Sequence, residues 1–189
     1  MARPTSSQTV GPFFSAALLR EPLNNLVPLE TRGERITIAG RVLDGDAAPV
    51  PDAMIEVWQA NADGRYRHPE DNLEARLDPN FEGFGRAATD ANGAFRFTTI
   101  KPGAVPGRGA KLQAPHINVT LFARGLLNHL NTRIYFPGEA LNATDDWLQA
   151  VAESRRHTLI AKLEDAPRAR VFHFDIVLQG KDETVFFDF

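Results

Sequence analysis

The clearest pattern in the chain is the alternation of polar and apolar residues over Ala114–Arg124, APHINVTLFAR. Successive side chains of a strand point to opposite faces. Ile117, Val119, Leu121 and Ala123 therefore share an apolar face that needs a core. His116, Asn118, Thr120, Phe122 and Arg124 share the other face. The pattern alone leaves two readings of that second face open. It is either the wet side of an antiparallel sheet or the wall of a polar site.

Further strands follow the same logic. Glu34–Leu43 puts Ile36, Ile38 and Val42 on one face and ends at an Asp44-Gly45 turn. Ala53–Ala60 lies between turns at Pro49–Asp52 and Asn61–Gly64. Gly85–Thr89 and Ala94–Ile100 read as a hairpin around Asp90–Gly93, with Phe95 and Phe97 facing inward. Asn131–Phe136 and Arg170–Gln179 are the last long strands, the second burying Phe172, Phe174, Ile176 and Leu178. Thr144–Lys162 breaks the β pattern. Thr144 as N-cap, acidic residues at 145 and 146, and helical spacing of Trp147, Leu148 and Val151 predict a helix over Asp145–Arg156. A short strand near Thr158–Leu163 is expected after it. Short strands, Gly and Asp turns and one short helix predict a mainly β fold, a β-sandwich with long loops. Residues 1–32 lack periodicity and read as an N-terminal arm, anchored by Phe13 and Phe14, of a single domain over 1–189. The aromatic ending Thr184–Phe189 reads as a docked segment.

Composition narrows the function classes. A chain of 189 residues carries a substantial core, and a net charge of −3 points to neither nucleic acid nor an anionic membrane. The absence of cysteine excludes disulfides and thiolate metal sites. No apolar signal-type stretch opens the chain and none is long enough to cross a bilayer, so a cytoplasmic protein is expected. Tyr66 and His68, in Arg65-Tyr-Arg-His68, offer a phenol and an imidazole in a loop. A surface loop with a half-packed tyrosine is the plainer reading of them.

Several dispersed segments together resemble the intradiol ring-cleaving dioxygenases. They are SQTVGPF (7–13), WQANADGRYRH (58–68), LDPNFEGFGR (77–86), IKPG (100–103), APHINVTLFARG (114–125), TRIYF (132–136) and ETVFFDF (183–189). The resemblance implies a β-sandwich of the intradiol dioxygenase type. It also implies an oxidoreductase that opens the ring of 3,4-dihydroxybenzoate with both atoms of O2 to give 3-carboxy-cis,cis-muconate, a step of the beta-ketoadipate pathway. In two-subunit members a beta chain holds a non-haem Fe(III) with two tyrosinates and two histidines. Hard phenolate oxygen and imidazole nitrogen suit that ion. The histidines form an H-x-H strand, and here that strand reads His116-Ile-Asn118. Tyr66 stands at the first tyrosine position, but Val105 stands at the second. Gln113 replaces a catalytic-strand arginine.

The resemblance therefore implies the alpha chain, which carries a degenerate site at Tyr66, Val105, His116 and Asn118, no metal ligand and no catalytic residue of its own. Fe(III) is then a cofactor of the beta chain. By motif, Arg124, Thr9, Gly11, Pro12 and Phe13 contribute to a substrate pocket at the alpha–beta interface, with Arg124 facing the substrate carboxylate. Arg133 is the alternative basic residue for that role. The implied partners are the beta chain, 3,4-dihydroxybenzoate and O2, within a larger hetero-oligomer of alpha–beta protomers. Two other expectations compete with this one. One is a self-sufficient dioxygenase using Tyr66, His116 and His68; the other is a non-catalytic β-sandwich binding module.

Overall fold

The computed structural model describes residues 14–19, 22–71, 77–109, 111–166 and 169–188. In chain order the strands are β1 (Arg35–Leu43), β2 (Met54–Gln59), β3 (Phe84–Ala88), β4 (Ala94–Ile100), β5 (Val105–Pro106), β6 (Leu112–Gln113), β7 (His116–Phe122), β8 (Leu130–Tyr135), β9 (Lys162–Ala166), β10 (Ala169–His173) and β11 (Ile176–Val177). Helix α1 covers Phe14–Leu18 and α2 covers Asp146–Ala150.

Two sheets stack face to face. One runs β3-β2-β7-β8, antiparallel throughout. The other centres on β1, which pairs antiparallel with β4 and parallel with β10 and β11, while β9 pairs with β10. Alternation fixes the core between them. Ile36, Ile38, Phe97 and Phe172 from one sheet meet Ile55, Ile117, Leu121 and Ile134 from the other, each at most 2% exposed. Each such side chain contributes about 1.5–3 kcal/mol of burial. The apolar face predicted for Ala114–Arg124 lies in this core. Its polar face is turned away from the core, toward the outside of the four-stranded sheet.

The described part of the arm straps both sheets. Arg86 N donates to Leu23 O on the β3 side, and Thr98 N donates to Asn24 O on the β4 side. Leu26 and Val27 are buried there. The C-terminal segment docks as expected: Phe187 N donates to Asn131 O and Thr132 Oγ1 to Val185 O.

Three expectations need correction. The predicted β3–β4 hairpin is a sheet-to-sheet connection, since β3 pairs with β2 and β4 with β1. Thr89 holds the crossing, accepting from Ala53 N through Oγ1 and donating its own N–H to Ala53 O. The long helix is shorter than predicted. Its cap is Asp145, α2 stops at Ala150, and a 3-10 helix over Glu153–Leu159 replaces the rest, so the following strand starts at Lys162. Val151 turns extended (φ −81°, ψ 138°) and ends α2. The Arg170–Gln179 strand is broken between β10 and β11. There the Asp175 carboxylate, in place of a backbone carbonyl, accepts from Arg41 N. Gly40 is required opposite the break, because a Cβ would come within 1.8 Å of Phe174 O.

Candidate functional site

The outer face of the four-stranded sheet carries several of the polar side chains that the sequence singled out. Register places His116 opposite Tyr135 and Asn118 between Trp58 and Arg133. The loop after β2 folds over this row. Asn61 Oδ1 accepts from Asp63 N and Arg65 N, and Tyr66 N donates to Asp71 Oδ2. Tyr66 then stacks on Trp58 with ring centroids 5.7 Å apart. The loop also lies hard against the Gly103–Ala104 backbone. A Cβ on Gly64 would come within 1.9 Å of Ala104 O, and Gly64 has φ +77°.

Tyr66, His116 and Asn118 are thereby brought together. The Tyr66 hydroxyl lies 3.5 Å from His116 Nε2, and Asn118 Nδ2 donates to it at 3.2 Å. His116 Nδ1 is 2.7 Å from Ala114 O, which places the ring proton on Nδ1 and leaves Nε2 as the acceptor for the phenol. Burial, reinforced by the Arg133 charge, lowers the His116 imidazole to about 4. Burial also raises the Tyr66 phenol, against the opposing effect of Asn118. Both groups are neutral near pH 7.

Val105 is buried on β5 and pairs in register with Gln113 of β6. Gln113 Nε2 donates to Pro106 O, and its Oε1 accepts from Arg133 Nη1 at 2.9 Å. The Arg133 guanidinium lies 4.6 Å from the centroid of the Trp147 ring. Arg133 was expected only as an alternative to Arg124, and its position beside Asn118 and Gln113 went unforeseen. Its alternation with Tyr135 in NTRIYF places both on the face of His116 and Asn118, and that was the available signal.

Asp145 was also read too weakly. It is fully buried and accepts from Ala114 N, Tyr135 Oη, Trp147 N and Leu148 N, joining the start of β7 to α2. A lone aspartate before an apolar helical run is a cap signal, and the sequence offered it one residue after the expected Thr144.

This donor set does not fit a ferric ion. Val105 offers no donor, the Asn118 amide presents its NH2 to the phenol, and the Tyr66–His116 pair is satisfied internally beside a guanidinium. His68 does not join the site: it is exposed, and its Nδ1 accepts from Glu70 N in its own loop. His173 pairs with Glu164 on another surface.

Arg124 lies just past the far end of β7, eight residues from His116, or about 26 Å at the rise of a strand. It is exposed and pairs with Asp52 at 3.0 Å. Thr9, Gly11, Pro12 and Phe13 lie outside the described residues. No helix among the described residues is long and apolar enough to cross a membrane.

Comparison with known proteins gives a consistent picture. A family model described as Dioxygenase matches residues 10–180. The chain is 45% identical over 173 residues to the protocatechuate 3,4-dioxygenase beta chain of Burkholderia cepacia, covering 88% of this chain and 72% of that one. It is 40% identical over 197 residues to the alpha chain from the same organism, covering 97% and 96%. The Pseudomonas putida alpha chain is likewise 40% identical, over 198 residues. Among solved structures, the dioxygenase domain of a dioxygenase carbohydrate-binding protein fusion from Streptomyces sp. SirexAA-E aligns with a TM-score of 0.66 and 30% identity, covering 95% of this chain and 100% of that domain. Catechol 1,2-dioxygenase from Pseudomonas arvilla C-1 aligns with a TM-score of 0.64 at 22% identity, covering 82% of this chain and 55% of that one, a likeness of fold.

Proposed function

This chain belongs to the intradiol ring-cleaving dioxygenase family, and from that premise we propose that it is the alpha subunit of a protocatechuate 3,4-dioxygenase. In this reading a beta-type partner holds the Fe(III), and the assembly converts 3,4-dihydroxybenzoate and O2 to 3-carboxy-cis,cis-muconate. Both oxygen atoms enter the product, as in the beta-ketoadipate route of aromatic catabolism.

The observation that carries the proposal is the state of the degenerate site. Val105 supplies no donor, Asn118 turns its NH2 toward the Tyr66 hydroxyl, and Arg133 stands in register beside Asn118, an arrangement that supports a chain without a ferric ion of its own. The near-complete coverage of both chains in the alpha-chain match adds support. The higher identity to a beta chain covers less of that relative, so identity alone does not choose between subunits. The donor set does.

On this reading the chain contributes by binding and orientation. Arg124, exposed and remote from the cluster, pairs with Asp52 at the surface, where another chain can complete a pocket around it. A guanidinium there offsets the charge of the substrate carboxylate and fixes the ring's orientation. Thr9, Gly11, Pro12 and Phe13 supply arm surface to the same pocket.

Expression of the chain alone and with its beta-type partner, followed by visible spectra, iron content and activity, tests the proposal. A colourless, iron-free, inactive lone chain beside a coloured and active complex is expected. Stoichiometric iron in the lone chain overturns it.

A further inference from the structure

A cavity of about 600 Å³ opens between the β5–β6 hairpin and α2, beside the degenerate site. Arg133 lines it. This side chain is 7% exposed, donates from Nη1 to Gln113, and has a buried Nε with no hydrogen-bond partner. Among the described residues no carboxylate lies within ion-pair distance of it. Asp145 is committed to its four donors, and Asp146, at the cavity wall, is held by Lys111 Nζ at 2.6 Å. Buried charges are normally paired, because an uncompensated one costs several kcal/mol or more.

The remaining lining says what the missing partner is. Lys111 and Asp146 offset one another, which leaves the charges of Arg133 and Arg108 in excess. The cavity is several times larger than an inorganic anion needs, and part of its wall is apolar. Leu112 contributes to that wall while 48% exposed, and Pro106 and Ala150 extend it.

We propose that this cavity is a second ligand site, for a small organic carboxylate with a flat apolar body, of the benzoate class. The carboxylate reaches Arg133 and Arg108, and the apolar body lies along Leu112 and Pro106. The site uses only residues of this chain. It is separate from the interface pocket at Arg124, and it stands whether or not the chain is an alpha subunit.

The test is calorimetric titration of the full-length chain, in whatever assembly it purifies, with sodium benzoate and separately with inorganic phosphate. Sites are counted per copy of this chain. Saturable benzoate binding is expected. Arg133→Gln should weaken it about tenfold or more and Arg108→Ala about threefold, as loss of a charge-assisted contact does. Arg124→Ala should leave this class of sites unchanged. Leu112→Glu, at an exposed position that tolerates charge, should abolish binding and keeps the test decisive if Arg133→Gln fails to fold. Absence of saturable benzoate binding, or affinity unaffected by Arg133→Gln or by Leu112→Glu, overturns the proposal. So does phosphate binding as tightly as benzoate. Iron found in the lone chain would sink the alpha-subunit reading and leave these titrations unaltered.

Discussion

The hydroxyl of Tyr66 lies 3.5 Å from Nε2 of His116, and the two side chains satisfy one another. The contact closes a polar cluster: Asn118 donates to the hydroxyl, and Ala114 O holds the far side of the imidazole. Tyr66→Phe strands the His116 acceptor and one Asn118 donor in a buried place. A loss of about 1–2 kcal/mol in unfolding free energy is expected, measured by denaturant titration. Iron per complex and kcat of the assembled enzyme should stay within about twofold of the parent, since one hydrogen bond remote from a reacting centre supplies little transition-state stabilisation. A complex that loses its iron would mean that Tyr66 is a ligand after all.

The same cluster sets a pH dependence. His116 faces Tyr66, Arg133, Tyr135 and Asp145, and burial followed by the Arg133 charge lowers it to about 4 from an ordinary 6.5. The unfolded chain then binds the proton more readily than the folded one between those values. Stability from this group is full above about pH 6.5, falls as pH drops toward 4, and is flat below that. The total is roughly 3 kcal/mol. His116→Gln should remove this slope from a plot of unfolding free energy against pH. An unchanged slope would assign the acid sensitivity to carboxylates instead.

The sandwich was legible wherever period-two alternation met a buried face. Ile117, Val119 and Leu121 of β7 and Phe95 and Phe97 of β4 read correctly because burial enforces register. Features decided by distant partners did not. A hairpin and a sheet-to-sheet corner carry the same turn residues, and only the bonding of Thr89 to Ala53 separates them. The break before β11 depends on a carboxylate, Asp175, bonding a backbone N–H on β1. In the candidate site, the apolar side chain at Val105 and the amide at Asn118 were visible in the sequence. The filling of the gap by Arg133 was not, because a strand arginine reads as a surface charge until the neighbouring hairpin and helix cover it.

Asp145 ties α2 to β8 and to the link before β7. Its carboxylate serves four donors, from the β6–β7 link, β8 and α2, while fully buried. Asp145→Ala leaves the Ala114, Trp147 and Leu148 N–H groups and the Tyr135 hydroxyl without a partner. About 3–5 kcal/mol should be lost, at the upper end for one residue. Asp145→Asn keeps an accepting oxygen and should cost roughly half as much. Equal losses from the two substitutions would mean that the negative charge beside Arg133 and the α2 N-terminus matters more than the hydrogen bonds. Thermal unfolding of the purified chain distinguishes these outcomes.

Arg124 separates a substrate role from a structural one. Its ion pair with Asp52 is exposed on both sides, 58% and 60%, so Arg124→Ala should change stability by no more than about 0.5 kcal/mol. If the guanidinium meets the substrate carboxylate across a subunit boundary, the same substitution should lower kcat/KM for 3,4-dihydroxybenzoate about 10–100-fold. It should leave turnover of unsubstituted catechol, which has no carboxylate, nearly unchanged. Arg124→Lys should recover part of the loss, because charge is kept and the bidentate geometry is not. Asp52→Asn frees the guanidinium from its present partner and should lower KM for the carboxylate substrate slightly, or leave it unaltered. Equal losses for both substrates in Arg124→Ala would show that the residue holds the interface together, and the carboxylate would then need another partner.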